Sequence, residues 1–236
     1  MKRLAVFAGA IALLTFTPAA ASGMSANPRH RIRFGTATNW AGYFVSGGQF
    51  TSASTTWTEP SLTCPARSNS AFASFAGLDG ANTSTVEQIG TVDTCKNGSV
   101  VHRPFYEIFP RGPAYIAKSV RAGDSLTATV TGTTSKLFTL TLVNHSQGWS
   151  FSTQQRSAKA QLSSAEAITE APTRRGSGVV SLTNFNVVNY NGTTANGQPI
   201  GNFSAQPVTM VGNSGVVKAE PGGLSGGSFS VMWLHS

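Results

Sequence analysis

Charge is scarce in this chain: Asp, Glu, Lys and Arg make up only 11% of it, and just 9 of its 236 residues are acidic. Charge-laced surface helices are therefore not expected; the abundance of Gly, Ser, Thr and Asn favours many short strands and turns. Cysteine is limited to Cys64 and Cys95, with no Cys-x-x-Cys pair, so a cysteine-based metal or redox motif is excluded. His30, His102, His145 and His235 lack any metal-ligand spacing, which argues against a zinc site, and no cofactor motif is present. Beyond the N-terminus no apolar run is long enough to span a bilayer.

The first residues do carry such a run, but a short one. Lys2 and Arg3 precede an apolar stretch over 5–16, Pro18, and the small residues Ala19, Ala20 and Ala21. This pattern predicts a secretory signal peptide over 1–21 and a secreted, extracellular product with no membrane attachment after cleavage. Residues 22–38, with basic Arg29, Arg31 and Arg33, are expected to form a flexible arm or the remnant of a short propeptide. A net charge of +8 could suggest nucleic acid, but the basic residues are scattered, and a solvated basic surface explains them without such a partner. In an exported chain the two cysteines are expected to pair, closing a loop around the segments treated below and bracing a site there.

From residue 39 to 236 the sequence reads as one domain. Strands rich in β-branched and aromatic residues alternate with Gly, Pro and Asn breaks; over 125–130 and 138–142 apolar and hydroxylic residues alternate cleanly. These features predict an all-β, single-domain antiparallel β-sandwich of two large sheets, concanavalin-like or jelly-roll-like. Residues 163–168 allow a helical turn, but Thr169, Pro172 and the strand-like surroundings favour a strand, which would put Glu166, Ile168 and Glu170 on one face and Ala165, Ala167 and Thr169 on the other.

Few residues can serve as acid or base. Asp124 reads as a turn former and Glu220 as a loop residue. Residues 223–227 match G-x-S-x-G, but a nucleophile elbow needs a helix after the serine, whereas here a Gly-rich turn leads into a strand. Serine, metallo and pepsin-like hydrolysis thus lack their signatures.

NWAGYF (39–44), TWTEPS (56–61), FAGLDG (75–80), VEQIGT (86–91), FYEIFP (105–110) and AEAITEAP (165–172) follow in order. Together they resemble the glutamic peptidases, or eqolisins, over essentially the whole domain. The resemblance implies an acid-acting endopeptidase on a two-sheet sandwich, with Gln88 and Glu166 as its catalytic pair. Glu170 matches a supporting acid, Trp40, Phe75 and Asp79 match residues lining or bracing the cleft, and Tyr106 and Glu107 match the element beside it. The partners implied are polypeptide substrates, with a monomer as the default state and no metal. Phe75 and Ala167 stand where the family usually has tryptophan, and the lost bulk at Ala167 predicts a wider cleft or a looser Glu166.

The chemistry suits these residue types. Amide hydrolysis needs a base for water, a proton for the leaving nitrogen and a donor for the oxyanion; a carboxylate and a carboxamide supply all three. Three rival readings stand beside this one, the smallest being a peptidase relative that lost activity through the change at Ala167. A non-catalytic carbohydrate- or peptide-binding sandwich would place the two side chains on separate surfaces. A two-carboxylate glycosidase would hold Glu107 and Glu166 about 5 to 9.5 Å apart.

Overall fold

The computed structural model describes residues 24–25, 32–33, 35–174 and 176–236. The expected signal peptide over 1–21 lies outside the described residues, as does most of the arm. Of the arm, Met24–Ser25 pairs with Thr173–Arg174, and Thr36–Ala37 lies parallel to Thr209–Met210. The longer strands are β1 (Trp40–Ser46), β2 (Ser52–Thr58), β3 (Asn69–Leu78), β4 (Val86–Lys96), β5 (Ser99–Phe109), β6 (Ser125–Gly132) and β7 (Leu137–Asn144). They continue with β8 (Trp149–Arg156), β9 (Ser164–Glu170), β10 (Val187–Ala195), β11 (Gln206–Val211), β12 (Val217–Pro221) and β13 (Phe229–Trp233). Among the described residues the helical content is one short 3-10 turn, Ile200–Asn202, and no helix is long and apolar enough to cross a membrane.

Two antiparallel sheets result. The first has the order β11-β1-β9-β3-β4-β5. The second runs β8-β7-β6-β2-β10-β13-β12. Strand β11 belongs to both: its first half pairs with β1, and Met210 and Val211 pair with β12, so the sheets are joined along that edge. The sandwich expected from the sequence is the fold observed.

The period-2 pattern explains the second sheet directly. In β6 and β7, Leu126, Ala128, Val130, Phe138, Leu140 and Leu142 turn inward and are fully buried, while the threonines between them lie nearer solvent. They meet Phe72, Ile89 and Ala167 from the first sheet, and Trp57, Tyr190 and Phe229 complete this main core. The first sheet differs because its central strands are buried on both faces: every residue of β9 is buried, as are residues 71–78 of β3. Its outer face carries a second cluster formed by Trp40, Phe44, Phe75, Phe105, Ile168 and Val208, with Ile32 of the arm packed against it. The side chains on that face are the ones that matter for chemistry.

Asp124 is a turn former, as its sequence context suggests, its carboxylate accepting the Arg121 N–H at 2.9 Å. Glu220, expected in a loop, lies within β12 opposite Met232. Residues 223–227 form the turn into β13, with Ser225 bridged to Ser228.

Candidate active site

Strand register builds the site. Reading across the first sheet, Phe44 pairs with Glu166, Glu166 with Gly77, Gly77 with Gln88, and Gln88 with Glu107. Directly paired residues point to the same face, so this row sets the Glu166 carboxyl and the Gln88 carboxamide on one surface, two strands apart. Between them stands Gly77, which has no side chain. A Cβ there would lie 2.9 Å from Glu166 Oε1, which shows that the carboxyl leans over the glycine toward Gln88. The next row on this face is apolar, with Ile168, Phe75 and Phe105 joined through Gly90.

Each member of the row is held. Glu166 Oε1 accepts the Gly80 N–H at 2.9 Å, and Oε2 accepts the Ser164 hydroxyl at 3.0 Å. Gly80 permits this approach: a Cβ there would fall 2.1 Å from the Trp40 ring and 2.9 Å from Glu166 Oε1. Trp40 in turn packs edge-on against Phe75, with centroids 5.7 Å apart. Gln88 Nε2 donates to Glu107 Oε2 at 2.7 Å, whereas Gln88 Oε1 is buried and finds no partner among the described residues. A carboxamide nitrogen carries two N–H groups, so one remains for a ligand.

The surrounding acids have distinct tasks. Asp79, with φ of +74°, turns the chain after β3 and accepts the backbone N–H groups of Gln161, Leu162 and Ser163 at 2.7 to 2.9 Å. It therefore braces the start of β9, and with it Ser164 and Glu166. Glu170, two rows from Glu166 on the same face, accepts the Asn39 side-chain N–H at 2.8 Å. Glu87 points into the sandwich, away from Gln88, and accepts the Ser157 hydroxyl at 2.6 Å.

Burial dominates the electrostatics. It pushes the Glu166 carboxyl up to about 7, against the opposing pull of the Gly80 N–H and the Ser164 hydroxyl; nearby Asp79 adds to the rise. Burial likewise carries Glu87 to about 9, and raises Glu170 well above the usual carboxylate range with help from Glu107.

The structure thus brings together Gln88, Glu166, Glu107, Glu170, Trp40 and Phe75 on one face, with Asp79 behind the turn that supports it. Tyr106 is different. It alternates with Glu107 onto the opposite face, where it stacks on Phe151 at 5.9 Å, so it flanks the main core and does not line the cleft. Ala167 is also on that inner face, fully buried in the main core. Its small size therefore bears on packing between the sheets; the expected widening of the cleft does not follow, because Ala167 and Glu166 point to opposite sides of β9.

The Cys64–Cys95 disulfide is present, with Cα atoms 5.4 Å apart. Cys95 lies seven residues along β4 from Gln88, roughly 23 Å at strand rise. The bridge therefore staples the far end of the sheet and does not brace the site. Sequence reasoning also missed Gly77, Gly80 and Ser164. The glycines become visible only once the register sets them beside Glu166; Ser164 could have been found as the same-face neighbour two residues before it.

A family model described as the Peptidase A4 family matches residues 38–228. The chain belongs to that family. Among solved structures, the fold of this A4 family member is similar to that of Scytalido-glutamic peptidase in complex with a peptide-based transition-state analogue, at TM-score 0.71 and 23% identity over 84% of this chain and 98% of that one. It is also similar to SCP-B, an eqolisin in complex with the tripeptide Ala-Ile-His, at TM-score 0.68 and 22% identity over 84% and 98%. A third is aspergilloglutamic peptidase from Aspergillus niger, at TM-score 0.61 and 22% identity over 70% and 99%. No curated protein matches significantly in sequence.

Proposed function

We propose that this peptidase-family chain is a secreted endopeptidase that works on the acid side of pH 7 with Gln88 and Glu166 as its dyad. The observation that carries the reading is the row in which these two side chains share one sheet face with only Gly77 between them. Ionised Glu166 takes a proton from the attacking water and afterwards returns it to the leaving amine. The free N–H of Gln88 donates to the oxyanion, while its unpartnered Oε1 orients the water. Glu107, by accepting the other N–H, fixes which way the amide faces. The acyl group never becomes covalently attached.

Two further features support the working conditions. The disulfide suits an exported chain. Glu87, Glu166 and Glu170 are all buried with raised carboxyl pKa values, so the fold carries them at least cost when they are protonated. Catalysis sets the opposite limit, because Glu166 with a pKa of about 7 is only about 1% ionised at a pH two below that value. The two together favour mildly acid conditions.

The glycosidase reading loses support on geometry. Glu107 and Glu166 are separated by three strand spacings, about 14 Å between backbones, and Glu107 is engaged by Gln88. The test is hydrolysis of unfolded protein from about pH 2 to 7 by wild type, Gln88→Ala and Glu166→Gln. Activity abolished in both variants is the expected result; an inert but folded wild type, or full activity in either variant, overturns the dyad.

A further inference from the structure

We propose that Glu59, Asp93 and His102 form a binding site for one divalent cation of the zinc type, at the end of the sandwich far from the dyad. The histidine spacing in the sequence argued against such a site. It is invisible there because its three residues arrive on three chain segments: Glu59 directly follows β2, Asp93 is on β4, and His102 is its direct cross-strand partner on β5. Their ligand atoms lie within 4.8 Å of one another, and they are the group of this kind found among the described residues.

The geometry is that of a preformed ligand set. His102 Nδ1 stands 3.3 Å from Glu59 Oε1 and 3.1 Å from Asp93 Oδ2. Zinc bonds of about 2.0 to 2.1 Å in a tetrahedron give ligand-to-ligand edges of about 3.3 to 3.4 Å, which the two edges at His102 approach, while the Glu59 to Asp93 edge lies within 4.8 Å. The outer shell is also in place. Glu59 Oε2 accepts both the Trp57 indole N–H and the Thr91 hydroxyl at 2.9 Å, which locks the carboxylate with Oε1 turned to the histidine.

A second observation points to a ligand. Asp93 is completely buried, yet its Oδ1 accepts no hydrogen bond among the described residues. A fully buried carboxylate with an unused oxygen is costly unless it is paired or coordinates a metal. Two carboxylates and a neutral imidazole around a dication give a neutral cluster. The imidazole plus carboxylates suit zinc better than calcium, whose sites are built from oxygen. The His102 side chain is 14% exposed while both carboxylates are sealed, which leaves a route for the ion and an outward position for a water ligand.

Such an ion would act as a structural clamp. Asp93 faces the sandwich interior, five residues along β4 from Gln88 and roughly 17 Å away at strand rise. It would tie the segment after β2 to β4 and β5, in the same corner that the disulfide staples. This inference is independent of the dyad: it rests on the opposite face of the sheet.

The test uses the mature wild type, stripped with a chelator and dialysed at pH 7.5, titrated with zinc chloride by calorimetry and followed by thermal unfolding. One ion per chain and an upward shift in Tm are expected, with His102→Ala and the near-isosteric Asp93→Asn each weakening binding by tenfold or more. Glu166→Gln should bind as wild type does. Absence of stoichiometric binding, or equal binding by the His102 and Asp93 variants, overturns the proposal. Where those variants do not fold, cobalt(II) bound to wild type decides: an intense four-coordinate visible spectrum supports the site, and a weak six-coordinate one overturns it.

Discussion

Replacing Gly77 with alanine leaves Gln88 and Glu166 unchanged and disturbs only the space between them. The new Cβ would lie 2.9 Å from Glu166 Oε1, 3.5 Å from its Cδ and 3.4 Å from the Phe75 ring. The first contact is too close, and the element free to yield is the carboxyl end of a flexible side chain. The carboxyl is displaced by several tenths of an ångström, which strains its bonds to the Gly80 N–H and the Ser164 hydroxyl. Misplacement on the order of 1 Å costs roughly a hundredfold in rate when reacting groups must be aligned. Folding should suffer little, because alanine in a strand regains about 0.5 to 1 kcal/mol of backbone entropy relative to glycine. A displacement of about half that size is expected to lower kcat about tenfold with a quenched peptide near pH 5, with nearly unchanged KM and a Tm within a few degrees. A folded Gly77→Ala enzyme with kcat within twofold of wild type would refute the idea that Glu166 works across this glycine.

Two more outcomes are expected. Glu166 and Glu87 have folded-state pKa values of about 7 and about 9, above the ordinary 4.5, so between that value and their folded pKa values the native state binds more protons than the unfolded chain. Stability therefore falls as pH rises from about 4.5 through 9, each such carboxyl losing about 1.4 kcal/mol per pH step of one until its folded pKa is passed, and calorimetry should find a higher Tm at pH 4.5 than at pH 8.5. A Tm that climbs steadily over this range would show that these carboxyls are not desolvated as the fold implies. Removing the disulfide with paired Cys64→Ser and Cys95→Ser changes should cost about 3 to 4 kcal/mol for a separation of 31 residues, read by denaturant unfolding, while kcat stays within about twofold because the bridge is remote from Gln88.

Burial explains why these effects are linked. Apart from Asp124 and the exposed Glu220, the carboxyls of this protein are buried in or against the first sheet, so each must be neutralised by a proton, held by donated hydrogen bonds or matched by a cation. Glu166 shows the first two together. Asp79 shows the second, with three backbone N–H groups on one carboxylate, and Asp93 and Glu59 beside His102 are the pair for which a bound metal ion would supply the third.

Local pattern by itself determined a good deal. Alternation in 125–130 and 138–142 gave inward-facing strands because side chains in an extended chain alternate with period 2, and that same period put Glu166, Ile168 and Glu170 on one face of β9. The ordered motifs identified the family and its two candidate catalytic residues. Other features depended on which strands lie side by side, and no local pattern encodes that. Only register between β9, β3 and β4 made Gly77 the gap between Gln88 and Glu166, and only alternation anchored by that register sent Tyr106 and Ala167 to the inner face. The disulfide was legible as a pairing, but its remoteness from the site was not, because distance along a strand of seven residues exceeds what the closeness of positions in sequence suggests. Glu59, Asp93 and His102 are the extreme case: spacing in the chain argued against a metal site, and three-dimensional pairing assembled a candidate one from three separate segments.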